Sequence, residues 1–235
     1  MRDFSQRSDE PELMDDPSVD LETFRGCLAD LAKVNALTLA RVPTLDFLGR
    51  LRRAGRLNPG RPVEILDVGS GYGDTLAGIA AWAKRRGAVV ALTGIDLNPW
   101  SAQIAQAACP GVARFITGDV FAHEGRADLV VSSLFTHHLD DEQIVRFLRW
   151  MEAHAAVGWF VNDLHRHPFA YYGFGMLARL MGWHRFVRHD GPVSIARAFT
   201  PADWQALIAR AGLDASAVQV RRRFPFRICV ERVKP

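Results

Sequence analysis

With 235 residues, 49% of them hydrophobic and 23% charged, the chain has the length of one domain with a modest cap and an ordinary globular composition. No apolar run approaches the roughly eighteen residues that span a bilayer, and the N-terminus is not a secretion signal, so a cytoplasmic location is expected. Cys27, Cys109 and Cys229 form no CxxC pair, which argues against a disulfide framework or zinc site, and the net charge of +3 hides an acidic start of eight acids against Arg2 and Arg7 over residues 1–22.

Residues 1–18 are polar and acidic, interrupted by Pro11 and Pro17, and read as a flexible tail ahead of a single domain over 19–235. Leu21, Phe24, Leu28 and Leu31 then share one helical face, and Leu45, Leu48 and Leu51 another, so residues 19–55 are predicted to form two helices that cap the domain or pad its sheet. A turn cluster at Asn58–Pro62 leads into Val63–Val68, an apolar strand followed by Gly69-Ser70-Gly71-Tyr72-Gly73 and a helical pattern with Asp74 as its expected N-cap. Glycines at every second position let a ligand lie against bare backbone at a helix N-terminus. Neither glycine register matches Gly-x-Gly-x-x-Gly, and no lysine follows to make a phosphate-binding loop, so the ligand is not expected to be held by a pyrophosphate.

The run Ile65-Leu66-Asp67-Val68-Gly69-Ser70-Gly71-Tyr72-Gly73 resembles motif I of the class I S-adenosylmethionine-dependent methyltransferases, and the region Val130 to Leu139 resembles the small-molecule members of ubiquinone and menaquinone biosynthesis. Two further strands, Val89–Ile95 and Ala113–Thr117, run into Asp96 and into Gly118-Asp119-Val120. An acid at the end of the second strand can accept bonds from ribose hydroxyls. The resemblance implies that Asp119 meets the adenine amine, and that the cofactor, S-adenosyl-L-methionine, lies against Asp67, Gly69, Ser70, Gly71 and Gly73, then Asp96 and Leu97, Asp119 and Val120, and Ser133 and Leu134. It also implies a Rossmann-like α/β sheet of seven strands in the order 3-2-1-4-5-7-6, the last antiparallel, with helices on both faces and a small helical cap.

Ala127–Ser133 is a fourth strand, followed by Leu134-Phe135-Thr136-His137-His138-Leu139; Val157–Asp163 is a fifth. The apolar pattern breaks over 164–198, where six aromatic residues fall between 165 and 186, and the family resemblance makes this a substrate-side insertion. Thr200-Pro201-Ala202-Asp203 starts another helix, and two terminal strands, near Ala217–Arg222 and Phe226–Val233, complete the sheet.

Seven of the eight histidines lie between His137 and His189, and an imidazole suits removal of a hydroxyl proton, so His138 or His137, then His165, are the candidate bases. Phe135, His137, His167, Tyr171, Tyr172 and Phe174 are the candidate substrate contacts. His165-x-His167 lacks an acidic partner at a suitable spacing, so no metal is expected. The motif IV position lacks the Asn/Asp-Pro-Pro pattern of amino-group methylation of adenine, and no cysteine is placed for cytosine C5 chemistry. The expected acceptor is a small phenolic or quinone-like metabolite, with O-methylation ahead of C-methylation. An RNA methyltransferase, suggested by Arg221-Arg222-Arg223, and a non-catalytic cofactor-binding module are the alternatives. Oligomeric state is not legible.

Overall fold

A computed structural model of the chain describes residues 2–16 and 18–235. The strands are β1 (Val63–Val68), β2 (Val90–Asp96), β3 (Arg114–Thr117), β4 (Ala127–Ser133), β5 (Ala155–Leu164), β6 (Val218–Arg223) and β7 (Arg227–Val233). They form one sheet in the order β3-β2-β1-β4-β5-β7-β6. The first five are parallel, and β7 runs antiparallel between β5 and β6. The expected order and antiparallel closing strand are borne out.

Helices cover both faces, so the central strands are apolar on both sides. In β4, Val130 packs with Phe147, Met151 and Trp204 on one face, while Leu129 and Val131 pack with Phe47, Leu76 and Ile79 on the other. The first layer holds α5 (Asp141–His154) and α8 (Pro201–Arg210), each opened by a capping box, Asp140 with Gln143 and Thr200 with Asp203. The second holds α2 (Val42–Arg53) and α3 (Asp74–Arg86). Among the remaining helices, α4 (Ser101–Ala108) follows β2.

The two N-terminal helices divide the roles expected of them. α2 pads the sheet, stacking Phe47 on Phe160 with ring centroids 4.7 Å apart. α1 (Leu21–Leu37) instead covers the glycine turn, with Phe24 and Leu28 packed near Tyr72 and Trp100.

The insertion folds as two mutually packed helices, α6 (Pro168–Leu180) and α7 (Arg185–Arg197). A Cβ on Gly191 would fall 2.0 Å from the Phe174 ring, so this glycine lets the helices close on that aromatic.

The N-terminal segment departs most from expectation. Pro17 and Met1 lie outside the described residues, but residues 2–16 are strapped across α7 and the loop after β4 rather than left as a tail. Arg7 donates to the carbonyls of His137 (3.3 Å) and Leu139 (2.7 Å) and to Asp141 (2.9 Å). Arg166 donates to the carbonyl of Phe4 (3.0 Å), and the amides of Leu13 and Met14 donate to the Asp190 carboxylate (2.8 and 3.0 Å). These long-range partners hold a segment whose own composition provides no apolar face.

Candidate active site

At the carboxyl ends of β1, β2, β4 and β5 lies a cavity of about 1140 Å³, roofed by α1, α6, α7 and the strap. Ligands of open α/β sheets bind at this edge, and the volume can accommodate two small molecules together.

The glycine turn forms one side. Gly69, Gly71 and Gly73 have φ of 72°, 47° and 80°, all in the left-handed region. A Cβ on Gly69 or Gly73 would strike Phe135 or Phe115, at 2.7 and 2.8 Å, whereas one on Gly71 would meet only Leu28 Cδ2 at 3.8 Å. Gly71 therefore keeps cavity space open, while Gly69 and Gly73 keep packing possible. Gly73, not Asp74, occupies the N-cap position of α3, because its left-handed backbone turns the chain into the helix and Asp74 is already helical.

Carboxylates concentrate here. Asp96 at the end of β2 accepts from the Gly71 amide (2.8 Å) and the Asn98 amide (3.0 Å), which fixes the β2 end against the glycine turn. Asp67 is 1% exposed, and its Oδ1 has no partner among the described residues. Burial, reinforced by the charges of Asp74 and Asp96, holds its pKa well above the ordinary carboxyl value. Asp74 is shifted the same way by burial, against the opposing charge of Arg41. Such a cluster calls for a cationic ligand, and S-adenosylmethionine, with a sulfonium and an ammonium, meets that need. Ser70, Leu97, Asp119, Val120, Ser133 and Leu134 also line the cavity, whereas Asp67 and Gly73 stand behind it. Asp119 caps the next turn by accepting from the Phe121 amide (2.9 Å). Leu134 holds φ 58°, an uncommon conformation for leucine, while its amide donates to the Asn162 carbonyl (2.9 Å).

The opposite wall carries the histidines. Asp163, fully buried at the end of β5, accepts from the Thr136 hydroxyl and from the amides of His137 (3.0 Å) and Leu164 (2.7 Å), and lies 2.7 Å from His137 Nδ1. Burial alone would raise its pKa, but His137 and these donors outweigh it and bring it down to about 2. The arrangement sets His137 Nδ1 against Asp163 and turns Nε2 away from it, 3.7 Å from Glu12. His138 stacks beside it, with Nδ1 3.1 Å from Asp15 and Nε2 3.9 Å from Glu12. Burial opposes its protonation, yet the bond to Asp15 and the charges of Glu12 and Asp15 raise its pKa to about 9.

At neutral pH His138 is therefore a cation tying the strap to the body. A raised folded-state pKa gives stability that is fully present below the unfolded value near 6.5 and is lost as pH rises through about 9. Thermal stability is expected to fall between pH 7 and 10 more in the wild type than in His138→Gln. Identical pH profiles of Tm would contradict the assignment.

Glu12, His137 and His138 also bring ligand atoms within 4.8 Å of one another, a spacing that a divalent cation can bridge. The expectation of no metal rested on the lack of an acid at suitable sequence spacing; folding of the strap supplies one from far along the chain.

The other candidates sort plainly. Phe135 and Phe174 line the cavity together with His137 and His138. His165 and His167 are not among its lining residues. His165 bridges to Phe199, and burial with the charges of Arg222, His167 and Arg166 lowers its pKa to about 4. His167 caps α6 through Nδ1, which accepts from the Phe169 amide (3.1 Å). Tyr171 receives Arg2 (3.2 Å) and packs on Phe4, and Tyr172 is 52% exposed. Besides Phe169 in its first turn, α6 turns Ala170, Gly173, Phe174 and Leu177 toward the cavity, a helical i, i+3, i+4, i+7 face that leaves both tyrosines pointing elsewhere. Glu12, Asp15 and Asp163 were not identified from sequence; the only signal was an acid-rich segment far from two adjacent histidines.

Residues 65–158 match the methyltransferase domain family. No curated protein matches the sequence. Among solved structures, the plantazolicin methyltransferase BpumL, in complex with a pentazolic desmethyl-plantazolicin analog and S-adenosylhomocysteine, is 14% identical, with a TM-score of 0.65 over 91% of this chain and 96% of that one. The magnesium protoporphyrin IX methyltransferase of Synechocystis PCC 6803, with bound S-adenosylhomocysteine, is 14% identical, with a TM-score of 0.53 over 94% and 90%. An O-methyltransferase assigned from Nostoc punctiforme PCC 73102 is 21% identical, with a TM-score of 0.56 over 88% of this chain and 60% of that one. These likenesses are likenesses of fold.

Proposed function

We propose that the chain is a class I S-adenosylmethionine-dependent methyltransferase that O-methylates a small hydroxylated aromatic acceptor, with His137 as the base. The observation that carries this reading is the His137–Asp163 pair, 2.7 Å apart at the cavity wall across from the glycine turn. The solved structures of this fold include methyltransferases named for magnesium protoporphyrin IX and for plantazolicin, the latter with a pentazolic analog, and these names support a ring-bearing substrate.

S-adenosylmethionine supplies an electrophilic methyl group on its sulfonium, so the chain's task is to place the acceptor and handle its proton. The open face of Gly71 and the Asp96 carboxylate, both on the cavity wall, hold the cofactor. Phe135 and Phe174 bound the acceptor with apolar surface. His137 Nε2 takes the hydroxyl proton as the oxygen is alkylated, and Asp163 stabilises the imidazolium. His138, already charged, is unsuited to this step, and His165 lies apart from the cavity.

Transfer of radiolabelled methyl from S-adenosylmethionine across a panel of phenols, hydroxy-aromatic acids, quinols and RNA tests the reading. Label is expected in a hydroxy-aromatic ether. Cofactor binding with no transfer to any member would favour a non-catalytic module, and salt-sensitive labelling of RNA would favour a nucleic-acid substrate. On the RNA side, Arg223 is engaged with Asp46 (2.8 Å) on the edge strand β6, as a solvated edge would be.

The Glu12–His137–His138 spacing favours one second reading, a divalent cation that binds the acceptor oxygen. The base mechanism predicts that turnover survives chelation and is not raised by Zn²⁺, Mn²⁺ or Mg²⁺. Loss on chelation with recovery on adding one ion would install the second reading instead.

A further inference from the structure

The cavity has a second charged feature that the base mechanism leaves unused. Arg227 opens β7, paired across the sheet with Leu164 on β5 and Arg223 on β6. Its side chain lines the cavity, yet the residue is only 3% exposed. Nη2 donates to Thr38 Oγ1 at 3.0 Å, whereas Nε and Nη1 have no hydrogen-bond partner among the described residues. No carboxylate among them lies within 4.0 Å of this guanidinium. Burial is severe enough to bring its pKa down to about 10, against the opposing pull of Asp163.

A buried cation without a partner is costly, and a guanidinium offers several donors that a low-dielectric wall leaves unsatisfied. The nearby acid cannot meet the need. Asp163 is already committed to Thr136, His137 and Leu164. The cavity therefore carries groups of both signs: the carboxyl groups of Asp74 and Asp96 at the glycine turn, and the guanidinium of Arg227. A cationic cofactor satisfies the first, and the second requires an anion.

We propose that Arg227 anchors a carboxylate on the aromatic acceptor, so that the substrate class is a hydroxylated aromatic acid. This rests on the methyltransferase reading for the identity of the partner ligand, though the anion site stands on its own geometry. A carboxylate fits better than a phosphate because the guanidinium is a single cation in a cavity that Leu39, Leu164, Phe169 and Phe226 also line, apolar surface suited to a ring carrying one negative charge.

Benzoate and benzamide share a ring and differ by the charge, and serve as the probes. Titration by ligand-observed NMR, with and without S-adenosylhomocysteine, is run on the wild type, Arg227→Gln and Arg227→Lys. The wild type is expected to bind benzoate about tenfold or more tightly than benzamide, the difference expected of one charge-assisted contact. The preference is expected to vanish in Arg227→Gln and to survive in reduced form in Arg227→Lys. Equal affinity for the two probes in the wild type, a preference that persists in Arg227→Gln, or no detectable benzoate binding at tens of millimolar (about a hundredfold weaker than a working substrate) would each overturn the proposal. Circular dichroism and S-adenosylhomocysteine affinity report the fold of the variants. Failure of the wild type to bind S-adenosylhomocysteine would sink the methyltransferase reading alone, since the benzoate comparison without it decides Arg227 separately.

Discussion

Replacing His137 by glutamine is expected to lower kcat by about 10²- to 10⁴-fold, the usual contribution of a positioned base, with little change in affinity for S-adenosylhomocysteine. Glutamine can still donate to Asp163, so the buried carboxylate keeps a partner and the fold is preserved. What it lacks is a ring nitrogen that can take up the proton. The loss should shrink for acceptors of lower hydroxyl pKa, because an already ionised oxygen needs no base. His138→Gln should reduce turnover far less, its role being to hold Asp15 and Glu12. Single-turnover rates of the two variants separate the roles, and wild-type kcat in His137→Gln would rule out the assigned base.

Gly71→Val carries the second large effect, on binding. Its φ of 47° is unfavourable for a branched residue, costing about 1–2 kcal/mol of stability. The added atoms enter the cavity, since the nearest described neighbour of a Cβ is Leu28 Cδ2 at 3.8 Å. S-adenosylhomocysteine affinity is expected to fall about a hundredfold or more, near 3 kcal/mol, while the variant remains folded. Gly69→Ala and Gly73→Ala are poorer tests, because their Cβ atoms would collide with Phe135 and Phe115 and perturb packing first. Isothermal titration of folded Gly71→Val gives the answer, and wild-type affinity would place the cofactor elsewhere.

The central strands were legible because each is a continuous apolar run, and Asp67, Asp96 and Asp119 mark where three of them end, whereas their order in the sheet was implied by the family resemblance alone. The cofactor side followed from the glycines for the same local reason. The acceptor side was not legible, because its parts are joined only by folding. Glu12 sits in a stretch whose acids and prolines resemble a solvated tail; what orders it are bonds to Leu139, Asp190 and Arg197, residues far away in sequence. Tyr171 and Tyr172 attracted attention as polar aromatics, yet the phase of α6 turns Phe174 and Leu177 inward instead. Arg227 carried no signal in the sequence, and its burial follows from β7, which is buried on both faces along Arg227, Ile228, Cys229 and Val230.

The account's central claim is that methyl transfer takes place between the glycine turn and His137. A crystal structure with S-adenosylhomocysteine tests it most directly. The account predicts the nucleoside between Asp96 and Asp119, the amino-acid portion over Gly71, and the sulfur's vacated methyl position opening toward His137 Nε2. A cofactor bound outside this cavity, or a sulfur facing away from His137, would contradict it.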